Sequence, residues 1–472
     1  MITYKVPCIY NKIPEAARSR THAVTVPGSK SITNRALLIS SLAEGRSVLK
    51  NVLFSDDSRV FVECLHSLGI RADVDETAKT IIVNGTGGKL PGSGEIYVGS
   101  AGTAARFLTA ALGLSNGDYL LNSSEQMKRR PIAPLLETLK AQGTEVSFEE
   151  KEGHFPFGLH SHGFNGSPMS VNIDDSSQFL SALLIASVMS DHDVRIDVTG
   201  HHGMSYIDMT VKMMEQFNVK VECLEKHDPE DGFYDKQSGH DKDLITGSNS
   251  PIKVKDAESD GKTFQIPASS SYSSKDYYIE PDMSAAAYFF AASPILGIKT
   301  LVRGTSFGSM QGDVQFVHAL EKMGCTAEET PDGIVMNPPA DGSIHGIDVD
   351  MSAFSDQAIT LACVAPFADA PTTIRGIGHI RLQESDRLSA IANEMRKMGI
   401  TVDETSDSIT IHPGSPSSAI IETYDDHRIA MGFSLIGLRS PGIEISNPGC
   451  VSKTFENYFE VLEGLIEDLE LR

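Results

Sequence analysis

Positive charge is scarce in this chain: 40 Lys and Arg stand against 63 Asp and Glu, for a formal net charge of −23. A general nucleic-acid binder carries a basic face or stripe, so that class is excluded. Long apolar runs are missing too. Phe289 to Ile298 is among the longest, and Pro294 interrupts it, well short of the roughly 18 to 20 residues of a membrane span. The first residues mix Lys5, Lys12, Arg18 and Arg20 with prolines and lack an apolar stretch of about 7 to 15 residues, so no secretory signal is read and a cytoplasmic location is expected. Cysteines are few and scattered (Cys8, Cys64, Cys223, Cys325, Cys363, Cys450), with no C-x-x-C, which favours free thiols. The tightest histidine groups, His160/His162 and His201/His202, lack partners at metal-site spacing, and no metal site is expected.

What is present is a repeat. At 472 residues and 40% hydrophobic, the chain has enough sequence for two or three domains. A unit of helix, strand, helix and alternating strand pair recurs, its second helix ending at Gly69, Gly143, Asn218, Gly324 and Gly399. Successive intervals are 74 or 75 residues, except 106 from Asn218 to Gly324. The surplus points to Glu225–Lys275, rich in Asp, Gly, Ser and Lys without periodicity, as an inserted mobile excursion. First helices recur six times, from NRALLISSLAEG to HRIAMGFSLIGL, the last copy losing its closing strands. Such a unit cannot bury both faces alone, so three copies around one core, twice over, are expected. A ligand cleft between the halves follows.

Several helix starts carry reactive residue types. Pro27-Gly28-Ser29-Lys30-Ser31-Ile32-Thr33-Asn34-Arg35 sets cations and hydroxyls at the mouth of a helix, where the dipole and free N–H groups favour an anion. It lacks the glycines of a P-loop. Gly102 opens another helix with small residues that allow close backbone approach. Lys128-Arg129-Arg130-Pro131 places three cations ahead of a helix expected to begin at Pro131, and Ser176-Ser177-Gln178 begins the third repeat's helix. In the second half, Asp356 opens a helix, Glu384-Ser385-Asp386-Arg387 and Asp425-Asp426-His427-Arg428 pair acids with bases, and Lys453 precedes the last helix. Asp386 and Asp425 read as helix caps, whereas Arg387 and Arg428 oppose the dipole and call for an anionic partner. Gly304-Thr305-Ser306-Phe307-Gly308 matches G-x-S-x-G without the strand-turn-helix succession a nucleophile elbow needs.

From about Thr25 onward the chain resembles the 5-enolpyruvylshikimate-3-phosphate synthases of the enolpyruvyl transferase family. The likeness rests on PGSKSITNR, SDDSR, GSAGTAARFL, MKRRPI, DDSSQFLSALL, YIDMT, IEPDMSAAAYF, SMQGDV, ESDRL, YDDHRIAM and KTFENYF in family order. The resemblance implies an α/β fold of two pseudo-symmetric domains, each of three βαβαββ units in an inside-out barrel, joined by a two-crossover hinge. One would span 29–279 and the other 1–28 with 280–472. It implies addition and elimination joining phosphoenolpyruvate to the 5-hydroxyl of shikimate 3-phosphate, with no metal or organic cofactor. Asp356 would be the base and Glu384 the proton donor, with Lys30, His427 and Lys453 also catalytic. Phosphoenolpyruvate would be held by Lys30, Gly102, Arg130, Gln178, Arg387, Arg428 and Lys453. Shikimate 3-phosphate would be held by Lys30, Ser31, Arg35, Ser176, Ser177, Gln178 and Asp356, with Tyr206 close by and His379 and Gln383 also in its site. A monomer is expected.

Departures from the family pattern are local. Gln383 stands where many members carry a lysine, so it can hydrogen-bond but brings no charge. His379 replaces a frequent asparagine, Ser100 the usual Asn before Ala101-Gly102-Thr103, and Gly203-Met204-Ser205 a Ser-x-Pro before Tyr206. Gly102 keeps the glycine associated with glyphosate sensitivity, so inhibition is expected. Two rivals stay open: a UDP-N-acetylglucosamine enolpyruvyl transferase, whose loop cysteine has no match near Gln126 to Pro131, and a non-catalytic repeat protein binding an anionic metabolite.

Overall fold

The five residues that close the second helices, Gly69, Gly143, Asn218, Gly324 and Gly399, all have φ between 70° and 100° in the computed structural model. That left-handed conformation suits glycine and is tolerated by asparagine, so the repeat read from sequence is a repeat of helix stops. The structure describes residues 2–200, 203–225, 261–268 and 270–470.

Five of the six units wrap a four-stranded sheet around a buried helix, and the sixth has a sheet of three strands. In the second unit Ser93–Tyr97 runs parallel to Asn116–Asn122, which pairs antiparallel with Phe157–His162, and that strand pairs antiparallel with Glu145–Phe148. The third and fifth units repeat this order. In the first unit the leading strand is Asp276–Tyr278, supplied from the end of the third. In the fourth it is Thr21–Val24. The sixth unit does not simply lose its closing strands: Thr3–Lys5 comes from the chain's start to pair with Ile443–Ser446. Each half is thereby closed by a strand remote in sequence.

The insertion is narrower than its composition suggests. Lys262–Ile266 is a strand, antiparallel to both Val194–Thr199 and Glu222–Glu225, so residues 261–268 and 270–275 belong to the third unit. Its Thr263, Phe264 and Ile266 are buried, a short pattern that the polar stretch before it obscures. Residues 226–260 lie outside the described residues.

Two apolar cores result. One gathers residues from Ile32 to Ile279, and the other combines Val6 to Val26 with Met283 to Leu469. At their centres are the first helices of the units, buried all round: every residue of Gly102–Gly113 is buried, and all of His427–Arg439 except Arg439. A helix buried on all sides has no polar face to expose, so its chemistry is confined to its ends.

The chain crosses between halves twice, side by side. Gly28 and Pro281 form an antiparallel bridge, the Ser29 N–H donates to the Glu280 carbonyl at 2.9 Å, and the Asp282 N–H donates to the Pro27 carbonyl at 2.9 Å. A Cβ on Gly28 would lie 1.9 Å from the Asn51 backbone oxygen, so only glycine fits. Gly28→Ala is therefore expected to cost about 1–3 kcal/mol and to lower turnover with it. Unfolding midpoints and steady-state rates measured on the same preparation check this, and unchanged values would contradict it.

Candidate active site

Four of the buried helices, starting at Lys30, Gly102, Gln178 and His427, bring residues of their first turns to the cleft between the halves. Lys30–Leu42 is capped by Ser29, whose Oγ accepts from the Ile32 N–H, and Met283–Leu296 by Asp282. Asp282 also accepts the Lys30 N–H at 3.0 Å, so the first helix start is met by a carboxylate of the chain itself across the crossover. The last buried helix is capped by Asp426, fully buried, which accepts from the Arg428 N–H. Asp425, read from sequence as a cap, instead takes a left-handed φ of 56° and accepts from Asn447. Asp386 caps Arg387–Lys397 as read.

A cleft, partly open to solvent, lies among these helix starts. Lys30, Ser31 and Arg35 line it from the first unit, Arg130 from the second, and Ser176, Ser177, Gln178 and Tyr206 from the third. Asp356, Gln383, Glu384, Arg387, His427 and Arg428 face them from the other half. Three expected site residues stand off its wall. Gly102 lies beneath Arg130, where a Cβ would fall 2.9 Å from Nη1. Lys453 reaches Glu384 at 3.3 Å from an adjoining cavity. His379 is one layer back, its Nε2 2.7 Å from the Ser355 Oγ. Arg35 is buried against the Thr210 and Ser181 hydroxyls and the Ser31 and Tyr206 carbonyls.

The basic turn reads differently in three dimensions. Lys128 ends a short helix, Glu125–Lys128, and pairs with Glu125 at 2.9 Å and Glu150 at 2.7 Å on the surface. The next helix is Ala133–Ala141, with Pro134 rather than Pro131 in its first turn. Of the three cations, Arg130 enters the central cleft.

Three carboxylates share one guanidinium. Arg387, 2% exposed, holds Asp356 at 3.2 Å, Glu384 at 2.8 Å and Asp426 at 2.8 Å, and also donates to Gln383 Oε1. Arg428 holds the other oxygen of Asp356 at 2.7 Å, and the Tyr206 hydroxyl, from the opposite half, donates to it at 3.1 Å. Burial disfavours the Asp356 carboxylate, but Arg428 and Arg387 outweigh it and hold its pKa down to about 2. Burial likewise opposes the Glu384 charge, and Lys453, Arg387 and Arg130 overcome it, so that group rests ionised as well. The anionic partners that Arg387 and Arg428 require are thus internal.

His427 is different. It is 1% exposed, with neither ring nitrogen hydrogen-bonded among the described residues, and burial together with Lys30 and Arg428 pushes its pKa well below the usual value, so the ring is neutral.

Asp313, beside this network, accepts from Ser284 Oγ at 2.8 Å and Gln357 Nε2 at 2.7 Å. Burial and the charge of Asp356 push its pKa up to about 6 from 3.8. Between those values the folded chain binds more protons than the unfolded, so stability falls as pH rises through that window. Relative to Asp313→Asn, the native chain is expected to lose about 3 kcal/mol of stability from pH 4 to pH 7, read from paired unfolding curves. A pH-independent difference would contradict this.

Sequence reasoning left some of the cleft unassigned: Thr103, Arg106, Asp175, Ser355 and Leu382 also line it. Thr103 and Arg106 lie within GSAGTAARFL, and Asp313 within SMQGDV, so the signal was their membership of those segments. The Gly203 departure has a steric reason. At φ 68° it precedes the helix Met204–Gln216, and a Cβ there would meet Ser177 Oγ at 2.6 Å.

The family model for EPSP synthase (3-phosphoshikimate 1-carboxyvinyltransferase) matches residues 16–230 and 249–462. The chain belongs to the EPSP synthase family. It is 39% identical over 450 residues to the 3-phosphoshikimate 1-carboxyvinyltransferase of Nostoc punctiforme, covering 95% of this chain and 97% of that protein. The 3-phosphoshikimate 1-carboxyvinyltransferase of Edwardsiella ictaluri is 39% identical over 446 residues, covering 94% and 95%. In fold it is similar to an EPSP synthase from Acinetobacter baumannii, with a TM-score of 0.73 at 20% identity over 94% of this chain and 95% of that one. Family membership weighs against both rival readings. Among the described residues, no helix is long and apolar enough to cross a membrane, and no group of three or more His, Cys, Asp or Glu is arranged to hold a metal ion.

Proposed function

We propose that this EPSP synthase family member transfers the enolpyruvyl group of phosphoenolpyruvate to the 5-hydroxyl of shikimate 3-phosphate, with residues 29–279 closing against 1–28 and 280–472. The observation that carries the reading is the sharing of Arg387 between Asp356 and Glu384, with Arg428 on the far side of Asp356. Two acids and two guanidiniums are held ready where one substrate carboxylate and one phosphate can replace internal contacts. A simple anion-binding protein gains nothing from those acids.

The substrate carboxylate draws Arg387 and Arg428, and the phosphate lies toward Arg130, Lys453 and the helix start at Gly102. Asp356 then loses the charges that depress its pKa and becomes a competent base. It takes the proton of the 5-hydroxyl as that oxygen bonds to C2 of phosphoenolpyruvate. Glu384, relieved of Lys453 and Arg130, gains a proton and delivers it to the methylene carbon. In the elimination half, Glu384 takes a proton back from that carbon, the C2–O bond to phosphate breaks, and phosphate departs with the electron pair and with the proton that Asp356 had taken. Cations fixed in a closed cleft stabilise that departure without reorganising. The neutral His427 ring meets the phosphate with an N–H.

On the other substrate, Lys30, Ser31, Ser176, Ser177 and Gln178 bind the shikimate phosphate side. Arg35 acts from beneath them, and Tyr206 and Gln383 flank the reacting hydroxyl, with His379 reaching it through Ser355. Glyphosate, as a competitor for the Gly102 and Arg130 pocket, inhibits. The chain acts as a monomer in the cytoplasm. Phosphate release from purified protein, given each substrate alone and both together, tests the reading. Release with both and with neither alone is expected; release with UDP-N-acetylglucosamine in place of shikimate 3-phosphate would overturn it.

A further inference from the structure

Arg106 is a buried cation without a counter-ion. It sits in the second turn of Gly102–Gly113, 2% exposed, and no carboxylate among the described residues forms an ion pair with it. Its Nη1 donates to the Gly102 carbonyl at 3.4 Å and touches Met127 Sδ at 2.9 Å, its Nη2 donates to the Pro131 carbonyl at 3.1 Å, and its Nε has no hydrogen-bond partner among the described residues. Burial and the neighbouring Arg130 both work against its charge, and Glu384 alone supports it. Arg387 and Arg428, by contrast, each hold carboxylates at 3.2 Å or less. A charge kept at such a disadvantage asks for a reason.

The reason lies in what it joins. Its two end nitrogens span from the start of one helix to the turn that carries Arg130. Arg130 itself is weakly held: its Nε is buried without a partner, and its ion pair with Glu384 is 3.9 Å long. It nonetheless lies in the slot over Gly102 that a Cβ would narrow to 2.9 Å. Its place is therefore set by the backbone of the turn, and Arg106 fastens that backbone one residue further on.

We propose that Arg106 is a positioning residue for the transfer: it braces the Met127–Pro131 turn against Gly102, so that Arg130 is presented to the phosphate of phosphoenolpyruvate. A second cation also stands behind the first, on the side where phosphate leaves. The inference rests on the function proposed above and adds a residue to it.

Kinetics of Arg106→Met and Arg106→Lys with both substrates, beside unfolding midpoints, test it. Arg106→Met is expected to raise KM for phosphoenolpyruvate about 10- to 100-fold, with KM for shikimate 3-phosphate changed less than about twofold. Arg106→Lys keeps the charge but cannot span the two carbonyls, so it stays impaired by about tenfold or more for phosphoenolpyruvate. In Arg106→Met combined with Arg130→Lys, the two effects fall short of multiplying, because both act on one guanidinium. Equal rises in both KM values, or full rescue by lysine, would overturn the positioning role. Should Arg106→Met not fold, Arg106→Lys and its double variant decide alone. Native protein inactive with both substrates would sink the proposed function itself; active native protein with unaltered variants would sink this inference alone.

Discussion

Asp356→Asn is expected to keep the fold and lose about three orders of magnitude in kcat, within the range a positioned general base contributes. The amide fills the same space and can still meet the Tyr206 hydroxyl, 3.1 Å away in the native chain. What it cannot do is accept the 5-hydroxyl proton. It also no longer neutralises Arg387 and Arg428, which hold the native carboxylate at 3.2 and 2.7 Å. Arg428 is then free for the substrate carboxylate and Arg387 is relieved of one of its three carboxylates, so KM for phosphoenolpyruvate should hold steady or fall while kcat collapses. A role confined to scaffolding would move both in the unfavourable direction. Rapid-quench turnover and phosphoenolpyruvate titration of the same variant separate the cases, and full turnover would remove Asp356 as the base.

Arg387→Met should be the most damaging single change to stability in the cleft. The side chain is 2% exposed and serves three carboxylates, of which Asp426 is fully buried. Removing it leaves those charges crowded without their shared partner, for an expected loss of about 3–5 kcal/mol in the second half. Arg387→Lys should recover only part, because a single ammonium cannot face Asp426 with one edge and Asp356 and Glu384 with the other. Urea unfolding followed by a probe in each half checks this: the second half's midpoint falls sharply and the first half's moves less. A loss under about 1 kcal/mol would mean that the network contributes charge placement without stability.

The sequence carried the architecture further than it carried the electrostatics. Helix stops at Gly69, Gly143, Asn218, Gly324 and Gly399 are legible because left-handed backbone restricts residue choice locally. Helix starts at Lys30, Gly102, Gln178 and His427 are legible because small or capping residues precede apolar runs. Partners are another matter. Lys128 and Arg130 are two residues apart, yet one pairs with Glu150 on the surface and the other enters the cleft. Arg428 finds its carboxylate 72 positions away in another unit. Local pattern holds no record of such pairings, and so Asp426 and Arg106 were passed over. The strand Lys262–Ile266 was hidden for a related reason, since both its partners, Val194–Thr199 and Glu222–Glu225, lie before the long polar stretch that it follows.

Everything proposed for the chemistry turns on an exchange: arginines that hold the chain's own carboxylates in the free protein release them to the substrate. The carbon-13 signal of the Asp356 carboxyl, assigned by its loss in Asp356→Asn, reports this directly. In the free protein it should stay in its ionised position from pH 7 down to pH 4, as a pKa of about 2 requires. With phosphoenolpyruvate bound, its titration should move up by about one unit or more and enter that range. A signal that stays ionised and unshifted when phosphoenolpyruvate binds would contradict the exchange and the activation of Asp356 that depends on it.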